Sequence, residues 1–295
     1  MNGMRVAKLN VLLGAALVFL ITGCTSFKEN MMVNTAKMMG QYGKRVINKY
    51  PDPEQIQAAM PAMIIQSDVF LEMGPNDPQL LFSASELNAG YALFLRDTNK
   101  KRAAKYYLKA KNYAERILLQ NGTFQAAQGK TDEEYKQSLQ AFEKEDAPAM
   151  FALLTATLGW VSTSSADNPA ALLELPHVEA LMDRLLVLDD TYRYGGPHAV
   201  TGIYHAARPV MFGGNPEKAK FHFDEAFKIS KRKYLMWQVF YAQYYAFAIQ
   251  DRELYENTLQ EVLDAPENLL PEQNLANAIA KMKAAQLIEQ VDDQF

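Results

Sequence analysis

Residues 215–226 read Asn-Pro-Glu-Lys-Ala-Lys-Phe-His-Phe-Asp-Glu-Ala, a pattern typical of the start of an α-helix. An asparagine side chain can accept a hydrogen bond from a free N–H of the first turn, and a proline at the first helical position has no N–H to leave unpaired. Ala219, Phe223 and Ala226 follow at spacings of four and three residues, so they share one helix face. The two alanines allow a second helix to approach closely, and the phenylalanine fills the groove beside them. These twelve residues therefore predict a helix packed tightly against a neighbour.

Other parts of the chain begin helices in the same way. Asp or Asn precedes Pro at residues 52–53, 77–78 and 168–169, and Thr131 with Glu134 has the pattern of a capping box. The alternating apolar pattern of strands is almost absent. The sequence therefore predicts an all-α protein, in which Pro61 should kink or split its helix. Helices are expected near residues 28–48, 53–73, 78–96, 99–120, 132–144, 147–163, 176–189, 197–207, 216–230, 232–249, 252–264 and 271–290.

A second small–aromatic–small triplet suggests that helical hairpins recur along the chain. It consists of Ala103, Tyr107 and Ala110, and Gly90 and Tyr91 precede it at the spacing of the first helix of a tetratricopeptide repeat. The two triplets begin 116 residues apart, whereas three repeats of about 34 residues would span about 102. We therefore expect degenerate tetratricopeptide-like hairpins that form one compact solenoid or bundle domain over 51–295. The alternative is an irregular helical bundle in which alanines and aromatics recur by chance.

The N-terminus has the pattern of an exported protein. Arg5 and Lys8 precede an uncharged run over 11–22, which is too short to span a bilayer, and Gly23 and the only cysteine, Cys24, follow it. The pattern resembles a bacterial lipoprotein signal, in which the cysteine thiolate accepts a diacylglycerol after Gly or Ala. The sequence predicts a signal peptide over 1–23, a lipidated Cys24, and a tether with an amphipathic helix over 24–50.

This N-terminal prediction also gives a location. Lipidation would anchor the chain to a membrane and place it in the periplasm, and Thr25 after the cysteine favours the outer membrane. The alternative is an ordinary signal peptide with an incidental cysteine. Removal of residues 1–23 would change the net charge from −4 to −6.

Composition and motifs exclude several classes of protein. A single cysteine cannot form an internal disulfide or a Cys-based zinc site, and a net negative charge argues against binding to nucleic acid. His198 and His205 are seven residues apart and can share a helix face, but no His-Glu-x-x-His spacing occurs. The sequence contains no phosphate-binding Gly-x-x-x-x-Gly-Lys loop, no Gly-x-Ser-x-Gly elbow and no distinctive carboxylate pair. We therefore predict no enzyme activity, no metal and no cofactor.

Several stretches resemble one family of transport proteins. The most specific are Tyr-Gly-Gly-Pro-His at 194–198 and Gly-Gly-Asn-Pro-Glu-Lys-Ala at 213–219. Four others lie in the same order as in the family, at residues 77–92, 106–114, 175–181 and 241–246. Together they resemble the TatT component of tripartite ATP-independent periplasmic (TRAP) transporters. The resemblance implies an all-helical periplasmic lipoprotein that can trimerise, with a cavity or pore in each protomer, a small organic acid as cargo, and the solute-binding (P) subunit of the transporter as partner.

Several side chains are candidates to line such a cavity, because they combine an apolar surface with a polar group. The helix predicted over 232–249 is apolar on nearly all sides, and core packing is the alternative role for its aromatics. In the Tyr-Gly-Gly-Pro-His turn, two glycines are expected to allow positive φ before Pro197 starts a helix. The candidates are Trp160, Tyr194, His198, Arg208, Trp237, Tyr241, Tyr244 and Tyr245.

The function predicted from these observations is that of a membrane-anchored periplasmic scaffold. It would dock the solute-binding subunit and hold or pass its ligand through a helical cavity. The alternative is a tetratricopeptide docking lipoprotein for outer-membrane or cell-envelope assembly. An enzyme would require a cluster of perturbed ionisable groups in a cleft.

Overall fold

The computed structural model describes residues 31–295, so the predicted signal peptide, Cys24 and Thr25 lie outside the described residues. Every regular element within 31–295 is a helix, and that range contains no strand. The prediction of an all-α fold with tetratricopeptide-like helical packing is confirmed. The helices of this range are all too short or too polar to cross a bilayer.

Thirteen α-helices follow one another through the described residues, with short 3₁₀ segments between some of them. The bounds are α1 31–49, α2 Pro53–Met73, α3 Pro78–Leu95, α4 Lys100–Leu118, α5 Gly122–Ala126, α6 Asp132–Ser138, α7 Ala147–Ser164, α8 Leu175–Asp189, α9 Tyr192–Ala206, α10 Pro216–Ser230, α11 Met236–Phe240, α12 Arg252–Asp264 and α13 Asn274–Glu289. A π-helix, Tyr241–Ala246, continues directly from α11.

The predicted caps explain most of the helix starts. Asp52, Asp77 and Asn215 each accept hydrogen bonds from backbone N–H groups of the following first turn. The capping box of Thr131 and Glu134 is also formed. Asn168 makes no such bond, because it precedes a 3₁₀ segment rather than an α-helix. Three of the four Asx–Pro pairs therefore cap helices.

The two predicted triplets lie where helices approach each other most closely. Ala103 and Ala110 of α4, and Ala219 and Ala226 of α10, are fully buried, as is Phe223. Helix α4 packs against α3 and α7, and α10 packs against α9. At the α4–α7 contact a Cβ on Gly159 would lie 2.4 Å from the ring of Tyr107, so only glycine fits there. The small residues thus allow the close packing that the spacing predicted. Gly90 is half-buried on α3, and Tyr91 and Ala92 beside it are buried.

The structure corrects three details of the predicted helices. The single helix expected over 232–249 is a short α-helix followed by the π-helix, since the aromatic pattern over six residues does not distinguish the two windings. Helix α2 is not split at Pro61, because its buried residues Ile56, Met60 and Ile64 hold both halves against one core. Near the start of α9 the helix is interrupted by a kink over Arg193–Gly195, in which Gly195 has a positive φ whereas Gly196 does not. A Cβ on Gly196 would instead lie 2.8 Å from the ring of Phe151.

Candidate functional site

An open cleft of about 590 Å³ lies between the end of α9 and the π-helix. Its floor and walls combine two arginines with apolar side chains, a composition that suits a small amphipathic ligand. The lining residues are Arg96, Ala206, Ala207, Arg208, Pro209, Val210, Pro216, Gln243, Tyr244, Phe247, Ala248 and Gln294.

Helix α3 supplies the first arginine. Arg96 lies just after the last residue of α3, and its Nη2 donates a hydrogen bond of 2.8 Å to the hydroxyl of Tyr244. Burial lowers the pKa of Arg96, but Tyr244 and Tyr107 outweigh that effect and raise the pKa above its ordinary value. Its Nε lies 3.7 Å from Asp97, which is half exposed. Arg96 is therefore a permanent positive charge at the cleft.

The second arginine is held at the end of α9. The guanidinium of Arg208 stacks on the ring of Tyr204, with 3.8 Å from its central carbon to the ring centroid. Its Nη2 lies 3.5 Å both from Glu179 and from the backbone oxygen of Gly213. Its Nε is buried and has no hydrogen-bond partner within residues 31–295. The two contacts of Nη2 are long, so this end of the Arg208 guanidinium remains able to bind an anion.

The glycine turn between α9 and α10 fixes the backbone beside Arg208. Gly213 has a φ of +87°, and the N–H of Gly214 donates to the carbonyl of Pro209 at 3.1 Å. A Cβ on Gly214 would lie 1.8 Å from the backbone oxygen of Arg208, a distance no side chain can occupy. The N–H of Asn215 donates to the carbonyl of His205, which closes the turn. The Gly-Gly-Asn-Pro motif therefore shapes the cleft as well as starting α10.

The π-helix orients the opposite wall of the cleft. Gln243 and Tyr244 line the cleft, whereas Tyr241 and Tyr245 point to the core and stack on each other with 4.9 Å between ring centroids. Burial raises the pKa of Tyr241 to about 12. A π-turn contains more residues than an α-turn, so it changes which side chains share a face.

A second cluster of polar groups lies between α9 and α10. His198 Nδ1 is 2.9 Å from His222 Nδ1, so the N–H of one ring donates a hydrogen bond to the nitrogen of the other. The ring of His205 is nearly parallel to that of His222, with 6.2 Å between centroids. Burial lowers the pKa of all three histidines, in His222 to about 4. Across residues 31–295, no three His, Cys, Asp or Glu side chains are placed to hold a single metal ion.

The structure separates the residues that the sequence grouped as cavity candidates. It brings Arg208 and Tyr244 into the cleft and places His198 in the histidine cluster. Trp237 donates from Nε1 to the backbone oxygen of Tyr194 at 2.9 Å, and both pack in the main core with Trp160. Two left-handed residues, Arg193 and Tyr194, precede Gly195, and the Trp237 hydrogen bond holds that strained turn.

Sequence reasoning missed Arg96 and Gln243. An arginine at the C-terminal end of a helix is a common surface arrangement, because its positive charge interacts favourably with the helix dipole. The sequence around Arg96 therefore did not indicate that it lines a cleft. Its contact with Tyr244 joins residues 148 positions apart. Gln243 lies within the stretch that resembles the family, but the resemblance assigned it no role.

Comparison with known proteins identifies the family of this chain. A search of curated proteins returned no match. The family model of the TRAP transporter T-component matches residues 49–295, which include every described helix from α2 to α13. The chain therefore belongs to the TRAP transporter T-component family.

Proposed function

We propose that this T-component is a lipid-anchored periplasmic scaffold that docks the solute-binding subunit of its transporter and holds an amphipathic organic acid in the cleft. The observation that supports this proposal most directly is the cleft, in which Arg96 and Arg208 border an apolar wall. Acylated Cys24 would anchor the chain, with Thr25 favouring the outer membrane. The chain would act without catalysis or cofactor, and as a trimer.

The chemistry of the cleft supports a carboxylate ligand. Arginine donors match the geometry of a carboxylate, and Nη2 of Arg208 makes only contacts of 3.5 Å with Glu179 and Gly213. Val210 and Phe247 supply apolar contact for a hydrocarbon chain. A volume of about 590 Å³ accommodates a small organic molecule.

An exposed apolar patch beside the cleft supports docking of a protein partner. Val210, Met211 and Phe212 are 71%, 82% and 66% exposed, and Phe221 of α10 is also exposed. Apolar patches of this kind are typical of protein interfaces. Val210 belongs both to the patch and to the cleft lining, so a partner bound at the patch would lie at the mouth of the cleft.

The ligand proposal predicts selective binding of amphipathic carboxylates. Calorimetry on the full chain in detergent measures this selectivity. Octanoate should bind more tightly than acetate, because its hydrocarbon chain contacts the apolar wall. Octanoate should also bind more tightly than octanol, because only octanoate offers the arginines an anion. Arg208→Gln should weaken octanoate binding by roughly tenfold, the value of one charge-assisted hydrogen bond. Arg252→Gln, at an exposed position of α12, is the matched control. Equal binding of octanoate and octanol would contradict the proposal.

The docking proposal predicts which partner is recovered from the native periplasm. Affinity capture with the full chain should recover the TRAP solute-binding subunit, and Met211→Asp with Phe212→Asp should abolish its recovery by placing charge in the patch. Val187→Asp, on the equally exposed surface of α8, should leave recovery unchanged. Recovery of envelope-assembly proteins alone would favour the outer-membrane docking alternative instead.

A further inference from the structure

The charged residues are distributed unequally along the chain. Residues 31–118, which form α1 to α4, contain 12 basic and 8 acidic residues, whereas residues 119–295 contain 15 basic and 25 acidic ones. The first four helices thus carry a net charge of +4 and the rest carry −10. Such asymmetry often marks the part of a protein that meets a polyanionic surface.

Helix α1 combines positive charge with an exposed apolar stripe. Its residues 31–49 include no acidic side chain, and Arg45 and Lys49 form no ion pair within the described residues. Lys37 pairs with Asp77, the residue that caps α3, and Lys44 pairs with Glu86 on α3. These ion pairs attach the opposite face of α1 to the domain. The exposed apolar side chains follow helical spacing and are Met31, Met32, Met38, Met39, Tyr42 and Val46.

Helix α2 extends this apolar surface. Ile65, Val69 and Met73 are exposed at intervals of four residues, so they form a second stripe. Helix α1 lies beside the end of α2, because the side chain of Val33, on the face of α1 that packs on the domain, lies 3.2 Å from the Cβ position of Gly74.

A row of basic residues on α4 borders the α2 stripe. Lys101, Lys105 and Lys109 occur at intervals of four residues on one face of α4. Lys109 donates to Asp68, a residue between Ile65 and Val69, at 2.7 Å. Lys101 and Lys105 are exposed and form no ion pair within residues 31–295. Basic residues of α4 therefore lie beside the exposed apolar stripe of α2.

We propose that the apolar stripes of α1 and α2, with the flanking basic residues of α1 and α4, lie on the surface of an anionic bilayer. Apolar side chains would enter the boundary between headgroups and acyl chains while the cations contact lipid phosphates. The covalent geometry agrees, since the seven Cα–Cα steps from Cys24 to Met31 span at most about 25 Å. A second copy of the chain fits this face less well, because a symmetric contact would bring like charges together.

The inference rests on the proposed lipid anchor only because the anchor would hold this surface near the bilayer. One experiment tests the anchor and the membrane-facing surface separately. The full chain is reconstituted into phosphatidylglycerol–phosphatidylethanolamine vesicles that contain brominated acyl chains. A fluorophore is attached through Met39→Cys or Ile65→Cys, and through Val187→Cys or Leu173→Cys as exposed controls on other helices. We expect quenching at residues 39 and 65 to exceed that at the controls at least twofold.

Labelling of the unsubstituted chain reports on the anchor. Acylated Cys24 has no free thiol, whereas an unmodified Cys24 would accept the fluorophore and show that the anchor proposal is wrong. In that case the chain is added to preformed anionic vesicles, and the same difference in quenching is still expected. Equal quenching at all four positions would overturn the proposal that this surface faces the membrane. Contact in detergent between the fluorophores at residue 39 of two copies would overturn it as well, because a second copy would then cover the surface.

Charge substitutions test the basic flank. Lys101→Glu with Lys105→Glu should reduce quenching at residue 39 by about half in anionic vesicles, because each basic residue contributes to attraction near the surface. Lys130→Glu with Lys136→Glu, beside and on α6, is the matched control. Equal effects of the two pairs would show that α4 does not face the bilayer.

Discussion

Adjacent glycines serve different physical needs in this protein. In the turn before α10, Gly213 provides a left-handed backbone, whereas Gly214 leaves room for the carbonyl of Arg208. The kink near the start of α9 shows the same two requirements, because Gly195 has positive φ and Gly196 leaves room for the ring of Phe151. At this scale a missing Cβ determines where an arginine or an aromatic ring can lie.

Replacing Gly214 with alanine should disturb the cleft. The new Cβ cannot remain 1.8 Å from the Arg208 oxygen, so the backbone must move and the free energy of unfolding should fall by about 2–4 kcal/mol. Denaturant unfolding measures this loss, and octanoate affinity should fall with it. Gly43→Ala is the control, since nothing lies within 4 Å of its Cβ position on α1. A Gly214→Ala chain as stable as this control would contradict the explanation.

Individual helices depart from regular geometry at two informative places. The π-helix directs Tyr244 to the cleft and Tyr241 to the core. Helix α2 continues through Pro61, although proline removes one backbone hydrogen bond. In α2, tertiary packing of the buried face therefore outweighs the local preference of proline.

Replacing Pro61 with alanine should stabilise the protein. Alanine restores an N–H donor to the carbonyl one turn earlier and relieves the ring clash, so we expect a gain of about 1 kcal/mol in the free energy of unfolding. Pro53→Ala, at the first helical position of the same helix, should have little effect, because no hydrogen bond is missing there. Thermal unfolding of the two variants distinguishes them. A loss of stability in Pro61→Ala would indicate that α2 needs the proline conformation.

The whole molecule combines a histidine cluster with an uneven distribution of charge. His198, His205 and His222 lie between α9 and α10, close to the cleft formed by the end of α9. Charged groups around the cluster include Asp190, Glu225, Lys218, Lys228 and Arg208. Burial lowers the pKa of the three histidines below 6.5, so the folded protein holds them neutral near pH 7.

Acidification should therefore destabilise the folded chain. The unfolded histidines bind protons from about pH 6.5 downward, whereas His222 in the folded chain does so only near pH 4. The stability that the neutral histidines contribute to the folded chain is fully present above pH 6.5, and it is lost as the pH falls from there to about 4. Because the rings are partly exposed, solvent screening limits the effect, and we expect Tm to fall by several degrees between pH 7.5 and 5. His222→Phe should reduce this slope, and an unchanged slope would contradict the role of the cluster.

Local patterns in the sequence are sufficient to predict the helices and their packing faces. An Asx–Pro pair acts within one turn, and the spacing of Ala219, Phe223 and Ala226 identifies a buried face without reference to any other element. These features, with the motifs at 194–198 and 213–219, also allow the family to be recognised.

Only the tertiary structure decides where the cleft lies. Arg96 meets Tyr244 across 148 residues, and His222 joins two histidines of another helix. Helical periodicity states which face of a helix is buried but not which helix covers it, so these pairings carry no local signal. The sequence determined an all-α T-component with tightly packed hairpins, and long-range packing determined which of its polar side chains converge.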